Sequence, residues 1–278
     1  MIGPDAIAAA VAGAVREAAT TLRPDVRTAL ERAIAAERSP RGRQVLEQLA
    51  ENARIAQADR VPLCQDTGTV WVRVEIGEEE CVRGSVRDAV DAAVAETYRA
   101  GALRMSVVRD ALFDRTNTGD NTPAFIELAQ RPGTGATVHV MLKGGGSDNA
   151  SALAMLEPAA GREGIVRFVL SAVEAKATGA CPPLLVGVGV GGTFDTVAAL
   201  AKKALLLPLH EASPAPVAAL EAEILDAVNA TGIGPAGLGG STTALGVRVL
   251  TAPCHIAALP VAVNLGCSAV RSATVELV

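Results

Sequence analysis

Residues 62–72 read PLCQDTGTVWV. From Thr69 onward, TVWVRVEIG (69–77) alternates apolar and polar side chains, the pattern of a half-buried strand. Just ahead of that strand stand a thiol, an amide, a carboxylate and a hydroxyl, Cys64, Gln65, Asp66 and Thr67, closed by Gly68. A core strand needs no such polar group at its mouth. The segment therefore announces a sheet and, in the loop that feeds it, a candidate site.

Working outward, the upstream chain is predicted helical. MIGPDAIAAAVAGAVREAATTL (1–22), RPDVRTALERAIAAE (23–37) and PRGRQVLEQLAENARIAQ (40–57) carry apolar residues at helical spacing with charges between them. Downstream, SVRDAVDAAVAETYRAGAL (85–103) is a helix with Ser85 as N-cap. A turn-rich RTNTGDNTP (115–123) follows, then strands in AFIELA (124–129) and ATVHVMLKGGGSDNAS (136–151). GREGIVRFVLSAVEAKATG (161–179), TFDTVAALAKKALLL (193–207) and SPAPVAALEAEILDAVNATG (213–232) are further helices. PLLVGVGVGG (183–192), TTALGVRVL (242–250) and LPVAVNLG (259–266) are further strands. No repeat and no long linker interrupts them. The expected fold class is mixed α/β: a helix-rich N-terminal portion, residues 1–60, packed on mixed sheets within one domain spanning 1–278.

The composition narrows the function. Half of the 278 residues are hydrophobic and 20% are charged, which excludes disorder. A net charge of −5 and 2% aromatic residues leave neither a basic footprint nor stacking platforms for nucleic acid. The first apolar run lacks a basic leader and is broken by Arg16 and Glu17, and LLVGVGVGGTF (184–194) is too short and glycine-rich to span a bilayer. A cytoplasmic protein is expected, so its five cysteines are read as ligands, reactive thiols or core residues rather than a disulfide framework.

Polar residues gather where elements start or stop. No CxxC pair occurs, against a zinc ribbon or a thioredoxin-like motif. Cys64, Cys181 and Cys267 each lie in a polar or glycine-containing loop. Each reads either as a small buried hydrophobe or as one ligand of a shared metal centre, where three thiolates on an iron–sulfur cube would leave one iron for substrate. Cys81 and Cys254 keep the buried-hydrophobe reading. KGGGSDNAS (143–151) and GLGGSTT (237–243) offer runs of backbone N–H suited to phosphates or carboxylates, with plain backbone turning as the alternative. GVGVGG (187–192) lacks the acidic residue a dinucleotide fingerprint needs. Arg104 carries a fork matched to carboxylates. Of the histidines, His255 adjoins a strand in PCHIA (253–257), His139 reads as cross-strand packing and His210 as a helix-end charge.

Seven motifs in order, PLCQDTG, LRMSVV, NTGDNTPA, KGGGSDNAS, TGACPP, GLGGSTTALGV and NLGCSAVRSA, resemble the α part of the class I iron–sulfur fumarate hydratases and of L-tartrate dehydratase, from about residue 40 to the end. The resemblance implies a [4Fe-4S] cluster on Cys64, Cys181 and Cys267, bound by loops at strand and helix ends. It implies reversible addition of water to a small dicarboxylate, with Asp66 as acid or base and Gln65 as hydrogen-bond donor. Arg104 and the backbone N–H groups of Gly145 and Gly146 would bind substrate, and His255 would lie at the substrate pocket. The chain stops at Val278 after the third cysteine motif, so a separate β subunit in an α2β2 assembly is expected. Mesaconate-type hydration, a non-catalytic metal- or anion-binding subunit and a structural zinc site are the competing readings.

Overall fold

Strand β1 (Thr69–Gly77) has the predicted bounds. The computed structural model describes residues 2–278, and β1 runs through the first of two compact units, made of the chain up to Arg23, Ala53–Gly145 and Arg271–Val278. Its sheet has the order β2–β1–β3–β8. β2 (Phe125–Arg131) runs parallel to β1; β3 (Ala136–Lys143) is antiparallel to β1, and β8 (Arg271–Leu277) to β3. The valines of β1 decide which face is buried. Val70, Val72 and Val74 are fully buried, and Val72 and Val74 pair in register with Val140 and Val138 of β3. Helices α1 (Pro4–Thr20) and α4 (Val86–Ala100) join them through Ile7, Val11 and Val15 and through Val90 and Val94. Each such side chain stabilises the fold by roughly 1.5–3 kcal/mol. Ser85 caps α4 as expected, its side chain accepting the Asp88 N–H at 3.2 Å. His139 meets Thr274 on the neighbouring strand at 2.9 Å, the cross-strand role read for it.

The second unit comprises Pro24–Asn52 and Gly146–Val270. Its sheet order is β4–β7–β5–β6, from β4 (Ala152–Leu156), β5 (Leu184–Gly192), β6 (Ala244–Cys254) and β7 (Leu259–Gly266). Helices α6 (Gly161–Lys176) and α8 (Ala215–Ala230) supply Ile165, Val169, Ile224 and Val228 to a core shared with Val186 and Val188 of β5. Helix α7 (Phe194–Ala204) lies on β5 at Gly187 and Gly189. A Cβ on either glycine would fall 2.4 Å from the Ala201 carbonyl oxygen or 2.6 Å from that of Val197. Gly187 and Gly189 thus admit a helix backbone, while Gly191 and Gly192, at φ 90° and 74°, do serve backbone turning.

The remaining predicted helices are α2 (Pro24–Ala36) and α3 (Pro40–Asp59); a short α5 (Gly145–Asn149) interrupts the triple-glycine loop. Two strands escape the sequence reading, β4 and β8. His210 does not close a helix, because α7 ends at Ala204 and His210 falls in a later turn. Cys81 and Cys254 are exposed rather than buried. Cys81 lies in the loop after β1, and Cys254 ends the edge strand β6 beyond its buried stretch. Among the described residues no helix is long and apolar enough to cross a membrane.

The GLGGSTT loop does bind an anion, one belonging to the chain. Glu37, fully buried, accepts the Ser241 N–H at 2.9 Å, the Thr242 N–H at 2.9 Å, the Ser241 hydroxyl at 3.0 Å and the Ser39 N–H at 2.9 Å. Burial pushes its carboxyl up, but the donors from Ser241, Ser39 and Thr242 outweigh it and hold the group at about 2, against an ordinary 4.5. A depressed carboxyl stabilises the fold fully above pH 4.5, and that stabilisation is lost as pH falls toward 2. Glu37→Gln is expected to lower the melting temperature at neutral pH, with the gap to wild type closing across that acid window in thermal denaturation.

Candidate active site

Residues 62–68 are fastened at four places in the first unit, to Ala19, Arg104, Tyr98 and Asn121. Leu63 donates its N–H to the Ala19 carbonyl of α1 at 2.8 Å. Thr67 is 2% exposed and donates its hydroxyl to the Arg104 carbonyl at 2.7 Å. Tyr98, fully buried on α4, places its hydroxyl 3.1 Å from both the Thr67 and Gly68 carbonyls. Burial pushes the Tyr98 hydroxyl well above its ordinary range, so it remains a donor. Asn121 of the NTGDNTPA loop is fully buried with a left-handed φ of 63°. Its amide donates to the Gly68 carbonyl at 3.1 Å and its oxygen accepts the Ser106 N–H at 2.7 Å.

These bonds hold Asp66 at the loop's centre. Its Oδ1 accepts the Gly68 N–H at 3.1 Å and its Oδ2 accepts the Gly145 N–H at 2.9 Å. Its main-chain oxygen accepts from Nη1 of Arg271. The Gly145 N–H, expected to face a substrate carboxylate, is thus engaged by Asp66 in this structure. Cys64 is a free, partly exposed thiol with its Sγ 3.5 Å from Gln65 Oε1, and the Gln65 side chain is exposed. Arg104 is tied down by its carbonyl while its side chain stays exposed. The first unit therefore gathers Cys64, Gln65, Asp66, Arg104 and Gly145 around one loop.

The second unit gathers Gly146, Cys181 and Cys267. The Cys181 carbonyl accepts the Ser268 N–H at 3.2 Å, fastening TGACPP to NLGCSA. Cys181 is exposed and left-handed at φ 56°, and Cys267 is partly exposed; neither is in a disulfide. A Cβ on Gly146 would lie 2.3 Å from the Gly179 oxygen, so the triple-glycine loop abuts the same turn. His255 stands exposed between β6 and β7, its Nδ1 accepting the Ala257 N–H at 3.1 Å. Among the described residues no three His, Cys, Asp or Glu side chains gather closely enough to hold a metal ion. In donor type, three uncrosslinked and accessible thiols suit an iron–sulfur cluster.

Sequence reasoning passed over Tyr98, Asn121 and Arg271. The signal for Arg271 lay within a quoted motif: an arginine opening the alternating stretch RSATVEL (271–277).

A comparison with family profiles matches residues 8–276 to the family described as Fumarate hydratase (Fumerase). The chain is 40% identical over 267 residues to a putative L(+)-tartrate dehydratase subunit alpha of Methanocaldococcus jannaschii, covering 93% of each chain. It is 34% identical over 263 residues to the L(+)-tartrate dehydratase subunit alpha of Escherichia coli strain UTI89, covering 93% of this chain and 86% of that one. To the K12 protein of the same description it is 34% identical over 260 residues, covering 92% and 85%.

Removing the Tyr98 hydroxyl leaves the buried Thr67 carbonyl short of a donor, while the Gly68 carbonyl keeps Asn121. Tyr98→Phe should destabilise the chain by about 1–3 kcal/mol in chemical denaturation. Proteolysis should then cut first within residues 62–68.

Proposed function

The chain belongs to the fumarate hydratase (Fumerase) family, and from that membership we propose that it is the α subunit of an iron–sulfur hydro-lyase hydrating fumarate reversibly to L-malate. The observation that carries this reading is the Asp66 carboxylate, held by the N–H groups of Gly68 and Gly145 two residues from the free thiol of Cys64. Cys64, Cys181 and Cys267 would hold a [4Fe-4S] cluster, and residues 1–278 would serve as one α-type domain. When bound, the cluster supplies a Lewis-acidic iron.

The proton to be removed sits on a carbon beside a carboxylate and is weakly acidic, so a fixed base is needed. Asp66 takes that role. Its Oδ2 is occupied by Gly145, and a substrate carboxylate that claims the Gly145 N–H would at once bind there and free Oδ2 for the proton. Arg104 forks a substrate carboxylate, the Gly146 N–H adds a donor, and Gln65 hydrogen-bonds the substrate hydroxyl. His255 orients substrate or shares in proton transfer. The relatives are described as alpha subunits. A separate β subunit, in an α2β2 assembly, would supply the remaining substrate contacts. Five cysteines outside any disulfide suit the reducing cytoplasm. Neither nucleic acid nor membrane enters this reading.

L-tartrate is the second substrate reading, favoured by the names of the relatives at 40% and 34% identity. Co-expression with the β subunit without oxygen, followed by assays on fumarate, tartrate and mesaconate, tests both. Turnover of one diacid is expected, with Asp66→Asn lowering it about 10²–10⁴-fold and Cys181→Ser abolishing the brown absorbance. Full activity in Asp66→Asn would instead support a non-catalytic anion- or metal-binding subunit. An unchanged spectrum in Cys181→Ser would remove the cluster.

A further inference from the structure

Strand β8 opens with a buried cation. Arg271 is 2% exposed, follows the buried Val270 and pairs in register with Leu142 of β3. Burying a guanidinium is costly unless something specific is gained. Its Nη1 grips the main-chain oxygen of Asp66, while its buried Nε has no partner. A Cβ on Gly144 would sit 3.3 Å from Arg271 Nη2 and 3.2 Å from Asp66 Oδ2. The guanidinium and the carboxylate therefore flank one backbone atom, and a side chain there would be tight against both.

The neighbouring carbonyls show how little a structural tether needs. The Arg104, Thr67 and Gly68 carbonyls are held by the neutral hydroxyls of Thr67 and Tyr98. Among these neighbouring carbonyls, that of Asp66 alone is held by a buried full charge with a donor to spare. The planar fork reaches the Asp66 peptide from the buried side, and the carboxylate of the same residue is held by the Gly68 and Gly145 N–H groups.

We infer that Arg271 is a positioning residue for Asp66, clamping its peptide from the buried side so that the carboxylate meets the substrate carbon at a set place. This inference rests on the hydro-lyase reading. Arg271 touches no reacting atom; it acts through Asp66, and misplacement by about 1 Å is enough to cost 10²-fold in rate.

The test uses the cluster-loaded αβ complex with Arg271→Lys and Arg271→Met. Arg271→Met should lower kcat about 10–100-fold with KM changed less than about three-fold. Solvent-deuterium exchange at the substrate carbon should fall in parallel, with visible absorbance per chain unchanged. Arg271→Lys, which keeps the charge and folds more readily, should recover part of kcat. Amide exchange in residues 62–68 should rise in both variants. Wild-type kcat in both variants, a loss confined to KM, or unaltered amide exchange in 62–68 overturns the inference while leaving the hydro-lyase reading intact. An inactive wild-type complex would overturn that reading and the inference with it.

Discussion

Each carboxylate oxygen of Asp66 receives a backbone N–H, one from Gly68 in its own loop and one from Gly145 at the far end of β3. That bridge is the constraint on which the first unit depends. An irregular loop at a strand mouth carries backbone groups that no ladder can satisfy, and each left unpaired in a dry place is costly. Here one side chain serves two of them, while Tyr98, Thr67 and Asn121 serve others. The polar group that looked superfluous beside a core strand is what makes the loop foldable, and it leaves a carboxylate fixed beside a thiol.

The second unit solves the same problem with Glu37, which fills the donors of Ser241 and Thr242. The two glycine-rich loops therefore share a device, backbone N–H groups that meet a carboxylate remote in sequence: those of Ser241 and Thr242 for Glu37, that of Gly145 for Asp66. They differ in access. Glu37 is sealed, whereas Asp66 is partly open to solvent and the Gly145 it holds is exposed. A sealed pair is a staple; an open pair can exchange its anion for another.

Much of this was legible in advance, and the reasons lie in particular residues. TVWVRVEIG announces its strand because every second residue from Val70 to Ile76 is β-branched and apolar, and Ser85 announces α4 because a cap acts locally. The five apolar residues of β4 are too few to show a period. β8 alternates through Ala273, Val275 and Leu277, but it opens on the polar pair Arg271 and Ser272, so its apolar pattern starts late. The glycine loops were recognisable as anion sites, but not that Glu37 and Asp66 fill them, since nothing local joins residue 37 to 241 or 66 to 145. Likewise GVGVGG gives no hint that α7 is what lies against it. Pairings made across the fold leave no mark on the spacing along the chain.

Cys181 holds a left-handed backbone at φ 56° although it is not glycine. For an L-residue that conformation costs roughly 1–2 kcal/mol, which glycine would largely relieve. The thiol at this turn is thus kept against the preference of its own main chain. A directed-evolution library of this protein sorted for heat resistance alone would drift toward glycine at 181, and its sturdiest survivors would be the ones that had lost the sulfur.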